Sequence, residues 1–454
     1  MFCKYKSIEL SNVLKTAHCF FYYVHIKAHC NCKERIAMKD YFEEIIGYED
    51  VKYQLRQIID MLKNPDKYKK MGARRINAVL LDGEPGTGKT TFANCFIKAT
   101  GRESFVVRKK KSNGSFLEEI SKAFEEAVAK APSIILLDDL DKFAEKDGGE
   151  DAEEYVTVQA CLDEIRDKDV FVIATTNDVS DMPKSLLRDG RLGFSIDVGT
   201  PLKHEAVEII EHYLKTTSVA ADLDAESIAR LMDGYSCATL ESTISLAAMK
   251  AAYKNQEKIE MQNIVDACLD EIFLAAEINK PMSEDSLKEV AYHEAAHAMV
   301  AEILDPDSVS IVSMRKTRPN NLGFVRYYRR PKSEYTFDYI EKLIQISLAG
   351  KAATEIVFGA SDMGANNDLH MAFDYAEKIV DSTCSFGFNS WIQDKDSDFA
   401  AENRNREMVA VMERNYTAVR KLLIENRYLL DTFAEALLKQ TTLIYSDVQK
   451  LMNR

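Results

Sequence analysis

Two histidines and a glutamate at 291–297 (AYHEAAH) have the residue types and spacing of a zinc-dependent hydrolase. His293 and His297 are four residues apart, so a helix would place both imidazoles on one face, where they could bind one Zn²⁺. Zinc activates a water molecule for hydrolysis, and Glu294 beside it could take the proton as general base. The pattern therefore predicts a zinc site that performs hydrolysis.

A catalytic zinc ion needs a third protein ligand and one open position, and two carboxylates could supply that ligand. Glu355 lies on a second predicted helix, which is a common arrangement in zinc peptidases. Asp368 opens a third predicted helix, directly after residues 364–367. The residue types leave both open, and the carboxylate that does not bind the metal would support the residues that do.

A second reactive stretch, 83–90 (GEPGTGKT), lies between a predicted strand at 78–81 and a predicted helix. Such a loop binds phosphates through its backbone N–H groups, while Lys89 reaches the terminal phosphates and the Thr90 hydroxyl binds Mg²⁺. The sequence thus predicts a site for ATP and Mg²⁺. The predicted binding residues are Gly83, Glu84, Pro85, Gly86, Thr87, Gly88, Lys89, Thr90, Thr91 and Asp138.

Polar residues follow two further predicted strands, at 134–137 and 170–174. The carboxyl ends of parallel strands meet at one edge of a sheet, where α/β proteins bind their ligands. We expect Asp138 to hold Mg²⁺ through water and Asp139 to polarise the hydrolytic water. The Asn177 amide would help to position that water.

Arg188 and Arg191 lie on a predicted loop at 186–191 (LLRDGR). In a single domain, such arginines would be solvated surface charges. In a ring of ATPases, they could reach the γ-phosphate bound by a neighbouring subunit and stabilise the transition state. We therefore include both among the candidate catalytic residues.

Helical periodicity and helix-breaking residues divide the chain into four segments. They are 1–40, an N-terminal extension of unknown role; 41–200, an α/β nucleotide-binding domain; 201–279, a small helical domain; and 280–454, the zinc-binding half. Lys280-Pro281 is the predicted linker into the last segment. Ser283 is expected to cap the helix that carries His293 and His297, and Asp305-Pro306 to end it.

The composition excludes some classes of protein. Apolar residues make up 46% of the 454 residues, which is ample for buried cores, while a net charge of −14 argues against a nucleic-acid partner. Nine cysteines without framework spacing predict a reducing, cytoplasmic location. The apolar run at 19–24 is far shorter than the ~20 residues of a membrane span, so no integral span is expected. The spacing also argues against a structural zinc site among Cys19, His25, His29, Cys30 and Cys32.

Taken together, these motifs resemble the FtsH-type ATP-dependent zinc metalloproteases from about Tyr41 to the C-terminus. The similar stretches are 83–90, 138–139, 174–177 (ATTN), 187–191 (LRDGR), 234–236 (GYS), 291–297, 348–350 (LAG), 355–359 (EIVFG) and 367–369 (NDL). The resemblance implies an α/β AAA+ ATPase module, with a parallel sheet and a helical lid, followed by an all-helical zinc metallopeptidase domain. It also implies a homo-hexameric ring that threads unfolded or tagged polypeptides into an enclosed chamber. The family's third zinc ligand is an aspartate in the last motif, so the resemblance favours Asp368.

Four features depart from the family pattern. The two membrane spans that normally precede the ATPase are not recognised here, and Asp139 replaces a glutamate that is one methylene longer. Phe194 stands where a second arginine is expected after Arg191, and residues 112–114 (SNG) contain none of the aromatic residues of the family's pore loop. A misplaced catalytic group can cost on the order of a hundredfold in rate, so we expect weak hydrolysis or translocation.

The leading hypothesis is therefore an ATP-driven zinc endopeptidase that acts on unfolded or tagged polypeptides. The alternative is a nucleotide-gated protein remodeller or scaffold, in which peptidase activity is minor or independent of ATP. Proteolysis measured with ATP, with a non-hydrolysable analogue and without nucleotide would separate these functions.

Overall fold

The computed structural model describes residues 40–109, 115–144, 152–216, 223–276, 283–317, 322–328, 335–359, 365–382 and 398–453. Three segments for which the sequence makes predictions lie outside the described residues. They are residues 1–39 of the N-terminal extension, with their cysteines and histidines; the segment 112–114; and the linker Lys280-Pro281.

A five-stranded parallel sheet forms the centre of the first half, with the strand order β2-β3-β4-β1-β5. Its inner strands are runs of Val, Ile and Leu because both faces are buried: alternate residues of the same strand belong to two separate hydrophobic clusters. The strands predicted at 78–81, 134–137 and 170–174 are confirmed. The five strands are β1 (Ala78–Asp82), β2 (Glu103–Val107), β3 (Ser133–Leu137), β4 (Val170–Thr176) and β5 (Ser195–Asp197).

Helices cover this sheet, and one of them, α3, begins at Lys89 directly after the glycine-rich loop. The strand, loop and helix that a phosphate site requires are therefore consecutive in the fold. The helices of this half are α1 (Glu49–Lys63), α2 (Pro65–Lys70), α3 (Lys89–Thr100), α4 (Ser115–Ala129) and α5 (Glu153–Glu164).

A group of short helices follows the sheet and shares a continuous hydrophobic cluster with one of its faces. We call this group the lid. Its helices are α6 (Lys203–Thr216), α7 (Ala225–Leu231), α8 (Cys237–Tyr253) and α9 (Met261–Ala267), followed by a π-helical turn at Cys268–Ile272.

The C-terminal half is predominantly helical, as predicted, and is built around α10 (Glu284–Leu304) and α11 (Phe337–Phe358). The Ser283 hydroxyl accepts a hydrogen bond from the Ser286 N–H at 3.1 Å, so the predicted cap of α10 is confirmed. The remaining helices are α12 (Asn366–Glu377), α13 (Asp398–Glu425), α14 (Arg427–Gln440) and α15 (Tyr445–Met452). Among the described residues, none of the helices has the length and apolar character that a membrane crossing needs.

The same half contains small sheets that the sequence analysis did not predict. One has three antiparallel strands in the order β10-β7-β9, and the other pairs β6 of the lid with β8. Their strands are β6 (Ala275–Ala276), β7 (Val309–Ser313), β8 (Lys316–Thr317), β9 (Phe324–Tyr327) and β10 (Thr442–Ile444). Strands this short lack a clear alternating pattern, which is why only a helical domain was expected.

Candidate metal and nucleotide sites

His293, His297 and Asp368 converge on one point between α10 and the first turn of α12. The Nε2 atom of His293 lies 3.0 Å from Oδ2 of Asp368 and 3.1 Å from Nε2 of His297. The third side of this triangle, from His297 Nε2 to Asp368 Oδ2, measures 3.4 Å. Among the described residues, these three form a cluster of possible metal ligands with all ligand atoms within 4.8 Å of one another.

The hydrogen bond of His297 Nδ1 leaves its Nε2 as the ring nitrogen that faces this triangle. Its Nδ1 atom lies 2.7 Å from the carbonyl oxygen of Ile346, which can only accept, so Nδ1 carries a proton. Its Nε2 is then the nitrogen that can bind a cation. Burial lowers the pKa of His297, but the hydrogen bond and charge of Asp368 raise it more, to about 9. Without a metal, Nε2 is therefore also protonated at neutral pH, and a bound metal ion would take the place of that proton and supply the positive charge.

The spacing and chemistry of these three groups fit zinc. Ligands at 2.0–2.1 Å in a tetrahedral arrangement are separated from one another by about 3.3 Å. The measured separations of 3.0, 3.1 and 3.4 Å are close to that value. Two imidazoles and one carboxylate also leave the fourth position open, as a catalytic site requires.

Glu294 lies beside the triangle without being part of it. It is 7% exposed, and burial raises the pKa of its carboxyl although the two histidines oppose the shift. The backbone of Gly323 passes directly against this carboxylate: a Cβ at Gly323 would lie 2.5 Å from Glu294 Oε1. A buried carboxylate confined in this way suits a general base, because its position is restricted by packing.

A second glycine determines how closely α11 approaches the histidines. A Cβ at Gly350 would lie 2.5 Å from Nε2 of His293 and 2.6 Å from Nε2 of His297. From the sequence, Gly350 was recognisable only as part of the family-like stretch 348–350, and Gly323 was not predicted to have a role. A glycine within an apolar helical run, where it has a cost in stability, was the signal that could have identified Gly350.

Glu355 is engaged on the other side of α11. Its carboxylate contacts Lys351 and the Tyr416 hydroxyl, and Arg420 donates to it at 3.0 Å. These contacts join α11 to α13. The structure therefore brings Asp368, and not Glu355, together with the two histidines.

We expect Asp368→Ala to lower the zinc content and Glu355→Ala to leave it nearly unchanged. Loss of a ligand removes a metal–protein bond, whereas loss of Glu355 removes an ion-pair network between two helices and should appear as a lower melting temperature. Metal analysis of the two purified variants, with thermal unfolding alongside, tests both. The reverse order of zinc loss would assign the third ligand to Glu355.

The predicted phosphate loop has the conformation that its glycines permit. Gly86 and Gly88 have φ of +83° and +97°, which other residues rarely adopt. Lys89 is buried and donates to the carbonyl oxygens of Gly83 at 2.6 Å and Glu84 at 2.8 Å. Burial lowers the pKa of this lysine, although Asp141 and other carboxylates oppose the shift. The ammonium group is thus next to the loop whose backbone would bind the phosphates.

The strand-end carboxylates lie at the same edge of the sheet. Asp138 Oδ1 accepts hydrogen bonds from the Thr90 and Thr175 hydroxyls, each at 2.9 Å. Arg108, which the sequence analysis missed, lies 3.0 Å from Asp138 and 3.2 Å from Asp139. It follows the edge strand β2, and nothing in its local sequence indicated this position.

The other predicted members of this site have partners within the chain. Asp139 also pairs with Lys142 at 2.9 Å. Burial raises the pKa of the Asp139 carboxyl, but Lys142 and Arg108 lower it more, so it stays ionised. The Asn177 amide donates to Asp141 at 3.0 Å.

The two loop arginines differ in their environment. Arg191 makes a two-point contact with Asp163, at 2.7 and 3.1 Å, and also donates to Gln159. Arg188 is exposed. Phe194, where the family pattern has a further arginine, is 38% exposed. Of the two candidates, Arg188 is therefore the one whose side chain faces solvent.

Two family models match the chain: "ATPase family associated with various cellular activities (AAA)" over residues 79–200 and "Peptidase family M41" over residues 280–451. The chain is 32% identical to the ATP-dependent zinc metalloprotease FtsH 4 of Sphaerobacter thermophilus, over 90% of this chain and 67% of the relative. It is 30% identical to FtsH of Thermobaculum terrenum, with coverage of 90% and 68%. FtsH 3 of a Synechocystis strain is 28% identical, with coverage of 90% and 72%.

Proposed function

The chain belongs to the FtsH family of ATP-dependent zinc metalloproteases, and we propose which of its residues carry out each step of proteolysis and ATP hydrolysis. It is an ATP-dependent zinc endopeptidase that acts on protein substrates and uses zinc, ATP and Mg²⁺. The observation that supports this assignment most strongly is the triangle of His293, His297 and Asp368 beside the buried Glu294.

In the peptidase half, His293, His297 and Asp368 would hold the zinc ion. Zinc, when bound, polarises water and the scissile carbonyl. Glu294 takes the proton of the attacking water at its carboxylate and passes it to the leaving amine, since its pKa is raised by burial. Gly350 allows α11 to pack against the imidazoles, and Gly323 confines the carboxylate.

In the ATPase half, the backbone of 83–90 and Lys89 would bind the phosphates. Thr90 and Asp138, which already share a hydrogen bond, would hold Mg²⁺ beside the phosphates. Asp139 would polarise the hydrolytic water and Asn177 would help to orient it, once these side chains exchange their present partners. Domain divisions at 41–200, 201–279 and 280–454 are part of the same proposal.

We further propose a homo-hexameric ring in the cytoplasm that threads unfolded or tagged polypeptides. The exposed Arg188 would reach the γ-phosphate bound by the neighbouring subunit. Arg191 would either contact the same phosphate or fix the position of the loop through its ion pair with Asp163. Nothing favours the alternative of a scaffold with minor peptidase activity, because a scaffold has no use for a buried general base beside two imidazoles.

The test of this function is proteolysis of a quenched, permanently unfolded casein by one purified preparation under three conditions. We expect cleavage with ATP, little with a non-hydrolysable analogue and little without nucleotide. Equal cleavage in all three would indicate a peptidase that does not depend on ATP, and no cleavage by the zinc-loaded protein would contradict the assignment.

A stable folded domain should be degraded far more slowly than casein. Asp139 is one methylene shorter than the family's glutamate and is paired with both Arg108 and Lys142, so we expect slow hydrolysis. A domain stabilised by about 5–15 kcal/mol would then often refold before it is pulled apart. The measurement compares the degradation rates of one tagged domain and of variants destabilised in steps. Rates that do not depend on the stability of the domain would contradict weak unfolding.

A further inference from the structure

The strand β9 contacts both halves of the enzyme through its two faces. Successive side chains of a strand point to opposite sides. Val325 and Tyr327 pack against the hydrophobic cluster of the peptidase half, whereas Phe324 packs against the cluster that includes the lid. On the lid-facing side, the ring centres of Phe324 and Phe273 are 5.2 Å apart, and Arg326 donates to the Tyr235 hydroxyl at 3.1 Å. Just beyond the strand, two cations lie over the ring of Tyr328: Lys203 Nζ is 3.5 Å and the Arg230 guanidinium carbon 4.5 Å from the ring centre.

The beginning of β9 lies against the catalytic centre. Gly323 directly precedes the strand, and its backbone leaves no room for a Cβ beside Glu294. A shift of β9 along or across its axis therefore changes the space available to the Glu294 carboxylate. Strand β9 is also at the edge of its sheet, paired with β7 alone among the described strands.

The lid residue that Arg326 contacts lies next to the phosphate loop. Tyr235 precedes Ser236, and Ala238 donates its N–H to the carbonyl oxygen of Gly86 at 3.1 Å. A Cβ at Gly86 would lie 2.7 Å from the Ser236 hydroxyl. The segment 235–238 thus contacts the phosphate loop through Ser236 and Ala238, and it contacts β9 through Tyr235.

We propose that Arg326 is a positioning residue that couples nucleotide binding to the order of β9 beside Glu294. Nucleotide bound at 83–90 restricts the motion of the segment 235–238, and Tyr235 then restricts the motion of Arg326. Because β9 is already ordered by this contact, it loses less conformational entropy when a peptide binds at the zinc centre. The inference rests on the proposed zinc and nucleotide sites. It assigns to them a specific connection through the contact of Arg326 with Tyr235.

The test measures binding, so it does not depend on turnover. The affinity of the full, zinc-loaded chain for a non-hydrolysable ATP analogue is measured by calorimetry with and without a saturating peptide hydroxamate, a probe that binds zinc. We expect each ligand to tighten the binding of the other by the same factor, about fivefold or more. Arg326→Met should reduce that factor to less than about twofold, while each ligand alone binds as it does to the unchanged protein.

Two further variants separate coupling from a general loss of structure. Tyr235→Phe removes the hydroxyl acceptor and keeps the ring, so it should also reduce the factor, and the double variant should lose no more than either single one. Arg315→Met is the matched control, since Arg315 also joins the two halves, through Asp266 at 3.2 Å, yet contacts neither Tyr235 nor Glu294 among its described interactions. It should keep the coupling.

Failure of the inference can be told apart from failure of the proposed function. Coupling that persists in both Arg326→Met and Tyr235→Phe, or a factor of one in the unchanged protein, would overturn the role of Arg326 while leaving both sites intact. Absence of hydroxamate binding would instead contradict the zinc site. If Arg326→Met does not fold, Tyr235→Phe decides the question alone.

Discussion

Replacing Glu294 with glutamine should lower casein cleavage by about two to four orders of magnitude, the usual contribution of general acid–base catalysis. Glutamine has nearly the same shape but cannot accept the proton of water. The carboxylate is confined by Gly323 and lies outside the triangle of ligand atoms, so the variant should bind zinc as the unchanged protein does. The measurements are the casein rate, the zinc content and the ATPase rate of the same preparation.

Glu294→Gln should therefore leave metal and ATPase activity unchanged while proteolysis is lost. Asp368→Ala is the matched comparison, since it should lose zinc and proteolysis together. Retained proteolysis in Glu294→Gln would show that another group accepts the proton. Loss of zinc from Glu294→Gln would mean that the carboxylate belongs to the ligand set.

Replacing Gly350 with alanine should reduce zinc affinity by about a hundredfold, the upper range for disturbing the groups that support metal ligands. The added methyl group would lie about 2.5 Å from both Nε2 atoms, which real contacts do not permit. Either the two imidazoles rotate away from Asp368 or α11 moves away from α10. Both movements break the triangle, so proteolysis should fall with the zinc content, measured by metal analysis and chelator competition.

Gly359→Ala is the control for this variant, because Gly359 lies just beyond the end of the same helix. It has φ of +75° with no atom within 4 Å of an added Cβ. The backbone strain of an alanine in the left-handed region should cost about 1–2 kcal/mol of unfolding free energy, with zinc and activity intact. Full zinc affinity in Gly350→Ala would contradict the role of Gly350 in packing α11 against the imidazoles.

The sequence determined the parts of this protein that depend on neighbouring residues. The i, i+4 spacing of His293 and His297 needs nothing beyond a helix, and the cap at Ser283 confirms that helix. The phosphate loop likewise follows from glycine spacing between one strand and the next helix. These features are local because hydrogen bonds and backbone geometry over a few residues specify them. Family membership was also recognisable, since the order of several such motifs along the chain is itself specific.

The tertiary structure decided whatever depends on contacts between residues distant in the chain. Asp368 is 75 residues from His293, and both carboxylate candidates lay on predicted helices. Residue types and spacing left both open, the family resemblance favoured Asp368, and the packing of α10, α11 and α12 is what brings its carboxylate to the histidines. Gly323, Arg108 and the two-faced strand β9 gave no local signal, because their roles come from what packs against them. The fold class, by contrast, was predicted in outline, whereas the small sheets were not. A strand of three or four residues is stabilised by its partners, and those partners are chosen by packing and not by local sequence.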